Sequence, residues 1–349
     1  MVAFGLLCAQ FTRVYSFNMQ QLIQNFSKQL HEALAISANA KLTNASEPIH
    51  NVVIAGMGGS GIGGNLVTAW TGADVIVPIT ISKSYEAPGF MSKNTLFIAC
   101  SFSGGTEETL AATEQALAKG AKVVCITSGG KLGEIAAAHQ LDVISIPGES
   151  GSPRASIGYS FVQIMTILAF YHLIPSAGTE AFAESAALLD AEQADIQAQA
   201  KALAHSFENK LPIFYADHKL EGVVVRTMQQ IAENSKQLSH CNVFPEMNHN
   251  ELVGWMFAKN IFENTSTVIL RTSFDFPRTT LRMDISKGIF SKVNPNVVDL
   301  HAKGTSFIAQ SIYLIHLLDW VSFFLAEVNN VDPFPVDAIG FLKNELAKV

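Results

Sequence analysis

Cysteine is scarce: Cys8, Cys100, Cys125 and Cys241 stand far apart, with no C-x-x-C pair. Such spacing excludes a disulfide scaffold or a zinc ribbon and reads as free thiols in a reducing compartment. No H-E-x-x-H stretch occurs and the histidines are scattered, so no metal site is expected. A basic block is also missing. With 23 Lys and Arg against 30 Asp and Glu, the formal charge is -7. That balance argues against nucleic acid as a partner but leaves room for a small anion held by local donors.

Uninterrupted apolar runs of membrane-spanning length are lacking too. The two candidates, 157–173 and 307–325, contain Gln163 in the first and Gln310, His316 and Asp319 in the second. Both read as buried helices, and no membrane association is expected. The opening Met1-Val2-Ala3-Phe4-Gly5-Leu6-Leu7-Cys8-Ala9 has a short apolar core with no positive residue before it, unlike a signal peptide. Met19 opens an amphipathic helix and is a candidate native start, which would make residues 1–18 an extension. A cytoplasmic chain of 349 residues is expected, long enough for two domains.

Glycine, by contrast, is concentrated after one strand. Asn51-Val52-Val53-Ile54-Ala55 is short and β-branched, as a buried strand should be, and Gly56-Met57-Gly58-Gly59-Ser60-Gly61-Ile62-Gly63-Gly64 follows it before a helical pattern resumes. Glycines let the backbone approach an anion. A helix beginning near Gly61 would add N–H donors and a positive dipole end, and Ser60 a hydroxyl. The same letters satisfy G-x-G-x-x-G at Gly56, Gly58 and Gly61, so a dinucleotide site competes. That site calls for an acid roughly 20 residues on, ending the second strand. Here the strand read over 75–81 runs into Ser82-Lys83-Ser84, and the nearby acid, Asp74, sits at its start. No nicotinamide or other cofactor is expected.

A second loop of the same kind, Cys100-Ser101-Phe102-Ser103-Gly104-Gly105-Thr106-Glu107-Glu108-Thr109, follows the strand Thr95–Ala99. Ser101, Ser103 and Thr106 supply neutral donors ahead of a helix starting near Thr106. Ser103-Gly-Gly-Thr-Glu is also an ordinary helix-capping pattern. Taken alone the loop decides nothing; two hydroxyl-bearing strand ends together point to one anion.

Strands at 51–55, 75–80, 95–100, 122–127 and 141–146 alternate with helices, which predicts a parallel, doubly wound α/β sheet. A second α/β pattern begins with strand 211–215 and continues through a helix over 220–238, strands at 266–271 and 297–300, and a long helix from 305. The expected organisation is an N-terminal extension and helix (1–40), a first domain with the phosphate loops (41–155), connecting helices (156–207), and a second domain with a helical tail (208–349). The second half has no glycine-dense turn, so the phosphate loops belong to the first.

Among residues able to do chemistry, Arg154 follows the loop 147–153 and is suited either to anchoring an anion or to lying solvated at a helix start. Glu233, Lys236, His240, Glu246, His249 and Glu251 cluster in sequence, and spacing does not choose among them. Glu233 reads equally as a surface acid on a helix, and His249 as a helix-start residue.

Five motifs, in this order through nearly all of the chain after residue 50, resemble the sugar isomerase (SIS) domain family, and within it the phosphohexose aldose–ketose isomerases. They are Gly56-Met57-Gly58-Gly59-Ser60-Gly61, Ser101-Phe102-Ser103-Gly104-Gly105-Thr106, Pro153-Arg154-Ala155-Ser156-Ile157-Gly158-Tyr159, Glu246-Met247-Asn248-His249-Asn250-Glu251 and Asp332-Pro333-Phe334-Pro335-Val336. The resemblance implies two SIS-type domains and isomerisation of a 6-phosphosugar through an enediol, glucose 6-phosphate to fructose 6-phosphate and also mannose 6-phosphate. It implies phosphate binding by Gly59, Ser60, Ser101, Ser103 and Thr106, and Glu233 as the enediol base. His249 would open the sugar ring and Arg154 would face the reacting carbons. Lys343 would complete the site, with Lys348 as its rival. It also implies a homodimer in which the histidine serves the partner's site. Relatives often carry threonine at the position of Phe334, a departure that bears on mannose 6-phosphate. Another SIS isomerase, acting on amino or pentose sugars, and a non-catalytic sugar-phosphate sensor are the rival readings.

Overall fold

The computed structural model describes residues 19–256 and 259–348, the side chains of 259 and 260 excepted. Residues 1–18, with the opening Met1–Ala9 stretch, Cys8 and the expected extension, lie outside the described residues. Among the described residues the chain forms two compact units: Asn25–Ala191 with Lys303–Ile312, and Glu192–Ala302 with 19–24 and 313–348. The first unit therefore takes in much of the segment read as connecting helices.

In the first unit, helix α1 (Phe26–Ala38) precedes β1 (Asn51–Ala55), α2 (Gly58–Thr71), β2 (Ile79–Ser82), β3 (Thr95–Ser101), α3 (Glu107–Ala118), β4 (Lys122–Thr127), α4 (Gly130–Ala138), β5 (Asp142–Ser145) and α5 (Ile157–Phe170). The five strands are parallel in the order β2-β1-β3-β4-β5. Both sheet faces are covered, so the central strands are apolar along their length rather than alternating. Period two decides only which face each residue serves. Val53, Ala55, Phe97, Ala99, Val123 and Cys125 meet Ala112 and Ala116 of α3 and Leu132 and Ala136 of α4. Each fully buried large side chain, such as Phe97, contributes about 1.5–3 kcal/mol relative to exposure.

β2 is shorter and later than the strand read over 75–81. Pro78 cannot donate a ladder hydrogen bond, although its carbonyl accepts one from Val52 at 2.9 Å. Helix α5 is apolar all round because it is buried, and its one long polar residue, Gln163, donates to the Ala33 carbonyl of α1 at 2.8 Å.

Helix α6 (Thr179–Ser206) leads to the second unit, which contains β6 (Leu211–Asp217), α7 (Glu221–Ser235), β7 (His240–Phe244), the short α8 (Lys259–Phe262), β8 (Thr265–Arg271), α9 (Pro277–Phe290), β9 (Val297–His301), the part of α10 (Phe307–Val328) from Tyr313 on, and α11 (Asp337–Leu346). Four parallel strands lie in the order β7-β6-β8-β9. Ile213, Tyr215, Phe244 and Ile269 form the core on one face with Met247, Trp255, Met283 and Phe290. Strand β7 escaped the sequence reading because it is an edge strand, with His240, Cys241 and Asn242 at its wetter end. Helix α10 is apolar enough to cross a membrane by composition, but 89 % of its apolar window is buried. Its polar residues have partners: Asp319 binds Arg226, and His316 accepts from Trp320 Nε1 at 3.2 Å. Burial pushes the His316 imidazole down to about 3, so it stays neutral.

Candidate active site

The C-terminal ends of β1 and β3 meet at the point where strand order reverses, which is where ligands bind in open α/β sheets. Helix α2 begins at Gly58, three residues before the start read from the sequence, so Gly59 and Ser60 occupy its first turn. Ser60 N and Gly61 N bond to Met57 O at 3.1 and 3.2 Å, and the preceding N–H groups lie at the positive end of the helix. Gly59 permits a close approach: a Cβ there would lie 2.8 Å from the Pro153 carbonyl oxygen. Thus the first glycine loop rests on the turn that carries Arg154.

In the second loop, Ser101 and Thr106 bring their hydroxyls within 2.9 Å of each other. Thr106 stands at the N-cap of α3 without capping it, so its hydroxyl is directed to Ser101, and Ser103 is exposed. Gly104 has φ +69°, and a Cβ there would fall 1.8 Å from Gly129 O, so only glycine lets this loop rest against the β4–α4 turn. A small cavity at the loops is lined by Gly59, Ser60, Phe102, Pro153, Ser156 and Ser160. Cys100, also on its wall, is an inert thiol; burial pushes its pKa upward and that of Cys125 to about 12.

Arg154 lies in the 3₁₀ turn Pro153–Ala155 and is only 8 % exposed, so the solvated surface alternative does not hold. Gln29 of α1 grips this turn on both sides, donating to Ala155 O at 2.8 Å and accepting from Gly158 N at 2.7 Å. It replaces the missing side-chain cap of α5. Beyond β2, where a dinucleotide site needs an acid, Lys83 instead donates to Asn65 Oδ1 at 2.7 Å. A cation there suits an anionic ligand, whereas a dinucleotide site would place a carboxylate at that point.

The remaining candidates belong to the second unit. Glu233 is half-buried in the last turn of α7, which ends where Lys236 turns left-handed at φ +55°. Lys236 Nζ donates to the carbonyls of Glu233 and Pro335 at 2.5 and 2.7 Å, tying the end of α7 to the Asp332–Val336 segment. Helix α7 is also locked to α10. Arg226 and Gln230 both bind Asp319, Asn234 binds Ser322 Oγ, and Ser235 binds the Ser322 carbonyl. His249 ends the 3₁₀ turn Glu246–His249 and is exposed. Lys343 is an exposed residue of α11, whereas its rival Lys348 pairs with Glu345. Ser101 meets Thr106 directly, and Gly59 abuts the Arg154 turn; Glu233, His249 and Lys343 stand on three separate elements.

Sequence reasoning missed Gln29 and the α7–α10 ladder. The stripe Arg226, Gln230, Asn234, at helical spacing beside an Asp in an apolar helix, was the available signal for the ladder; Gln29 had none.

A doubly wound sheet with two hydroxyl-bearing loops at its switch point, followed by a second parallel α/β unit, defines a SIS-type sugar-phosphate protein. Comparison supports this class. The SIS domain profile matches residues 48–173, and that of the bacterial phospho-glucose isomerase C-terminal SIS domain matches 196–346. A hypothetical protein of Thermus thermophilus has the same fold, with a TM-score of 0.73 at 16 % identity, covering 100 % of this chain and 97 % of its own. The bifunctional phosphoglucose/phosphomannose isomerase of Caldicellulosiruptor bescii is 39 % identical over 95 % of this chain and 99 % of its own length. That of Aquifex aeolicus is 32 % identical over 86 % and 92 %. The chain belongs to the bifunctional phosphoglucose/phosphomannose isomerase family, and is an isomerase.

Proposed function

We propose that the enzyme interconverts glucose 6-phosphate and fructose 6-phosphate, and mannose 6-phosphate and fructose 6-phosphate, in the cytoplasm and by a route that needs no metal. The observation that carries this reading is the paired loop: Ser60 in the first turn of α2, and Ser101, Ser103 and Thr106 ahead of α3, with the buried Arg154 on the turn beneath Gly59. Neutral hydroxyls and helix N-termini hold a phosphate dianion without a lysine or arginine cluster.

In the proposed chemistry His249 opens the pyranose ring by moving a proton at the ring oxygen, a task for which imidazole is suited. Glu233 then takes the C2 proton of the open aldose and returns it to C1, giving the ketose through an enediol. Arg154 and Lys343 steady the negative charge on O1 and O2. Glucose and mannose phosphates share this enediol, so one base serves both if the site admits either C2 epimer.

The proposal includes a homodimer in which His249 serves the partner's site. In support, the groove beside the preceding residue, Asn248, is lined by Leu252, Arg278, Leu281, Arg282 and Ile285. Val253, Met256 and Ile285, each more than half exposed, extend an apolar surface suited to a second copy.

The test is incubation with fructose 6-phosphate and a chelator, with separate quantification of glucose and mannose 6-phosphates. Formation of both is expected. Glucose 6-phosphate alone would implicate Phe334 in narrowed specificity; binding without product, or full turnover by a folded Glu233→Gln, would overturn the assignment.

A further inference from the structure

His249 is exposed and has no hydrogen-bond partner among the described residues, yet the backbone on either side of it is held. On the N-terminal side, Asn248 Nδ2 donates to Ser286 Oγ of α9 at 2.9 Å. On the C-terminal side, Asn250 spans the turn, donating to Glu246 Oε1 at 2.8 Å and accepting from Glu251 N at 2.6 Å. Glu251 is the deeper fastening. One carboxylate collects Tyr215 Oη from β6, His240 Nε2 from β7 at 3.0 Å and Asn242 Nδ2 from β7 at 2.5 Å. Tyr215 is itself fixed, stacking on Phe290 with ring centroids 5.2 Å apart and accepting from Trp255 Nε1 at 3.1 Å.

Burial opposes ionisation of Glu251, but the bonds from His240, Tyr215 and Asn242 outweigh it and hold the carboxyl at about 2. It is therefore an acceptor for all three donors at neutral pH. None of these four side chains is needed to take a proton from the sugar in the proposed chemistry. Their common effect is on a loop of three residues, His249-Asn250-Glu251, whose first member would be the ring opener. A freely rotating surface loop would present that imidazole in many positions, and small misplacements of an acid–base group are costly in rate.

We infer that Glu251 is a positioning residue for ring opening, keying the loop of His249 to strands β6 and β7 through Tyr215, His240 and Asn242. The inference rests on the proposed role of His249. It separates two steps of the proposed chemistry. Ring opening depends on the keyed loop, whereas binding of an already open chain depends on the phosphate loops.

The experiment compares Glu251→Gln, His249→Asn and the wild-type enzyme in two measurements. One is the rate of α to β anomer exchange of glucose 6-phosphate, followed by NMR, which requires ring opening alone. The other is the Kd of an acyclic aldonate phosphate that mimics the enediolate. Glutamine keeps the shape but replaces one acceptor with a donor that opposes Tyr215 or Asn242. The expected result is a fall in anomer exchange of about tenfold or more in Glu251→Gln, with the acyclic Kd within about twofold of wild type. A general structural loss would weaken both. Anomer exchange at the wild-type rate in Glu251→Gln, while His249→Asn has lost it, overturns the role of Glu251 alone. Wild-type exchange in His249→Asn overturns the role of His249 and this inference with it. If Glu251→Gln does not fold, Tyr215→Phe keeps the stacked ring and removes one donor. Slowed exchange with unchanged acyclic binding then supports the inference, and unchanged exchange overturns it.

Discussion

Gly104→Ala tests whether the phosphate cradle depends on contact between two loops. At φ +69° an L-residue costs about 1–2 kcal/mol. The added methyl would also lie 1.8 Å from Gly129 O and 2.7 Å from its carbonyl carbon, so one loop must move by more than an ångström. Gly129 O accepts from Thr127 Oγ1 at 2.9 Å and from Gly133 N at 3.2 Å, and Gly104 O accepts from Leu132 N at 2.8 Å. Losing two of these adds about 1–3 kcal/mol. The sum is a destabilisation of about 2–5 kcal/mol, measured by urea denaturation. Ser103 and Thr106 move with the loop, so KM for fructose 6-phosphate should rise about tenfold, with a smaller change in kcat, as expected for loss of binding shared by ground and transition states. Gly105→Ala is the control. Its added methyl meets only Ser103 Oγ, at 3.9 Å, and its effect should stay within about 0.5 kcal/mol. Equal stability and equal KM in the two variants would refute the reasoning.

Arg226→Met should cost about 3–5 kcal/mol, because Arg226 and Asp319 are buried and form an ion pair at 2.7 Å. The double change Arg226→Met with Asp319→Leu should recover much of that loss in the same urea titration. Gln29→Ala removes both grips on the Arg154 turn and should lower kcat/KM at least severalfold, with circular dichroism unchanged. The Glu251–His240 pair makes stability depend on pH. Glu251 lies below its ordinary 4.5, so its contribution is complete above that value and is lost as pH falls towards 2. His240 is raised above 6.5, chiefly by its hydrogen bond to Glu251, so its contribution is present below 6.5 and lost as pH climbs through the raised value. The difference in thermal midpoint between wild type and Glu251→Gln should therefore be greatest between those limits and shrink on either side.

Strand alternation, the glycine turn and the hydroxyl-rich second loop were legible in the chain because each is local. A buried parallel strand needs a short β-branched run, and a backbone cradle needs glycine at consecutive positions; both leave their mark within a dozen residues. Edge strand β7 lacked that mark, since its outer residues are polar. The site motifs were likewise visible as letters, but their settings were not. Arg154 reads as a surface residue until it is found buried, and Gln29, which steadies its turn, lies more than 120 positions away. Glu251 was one acid among several in its stretch until β6 and β7 delivered Tyr215, His240 and Asn242 to it, and Arg226 meets Asp319 across 93 positions. Turn and strand chemistry acts between neighbours in the chain, so composition and spacing record it. Burial and the pairing of polar groups depend on which distant segments the sheets bring side by side, and that is settled only when the two cores close.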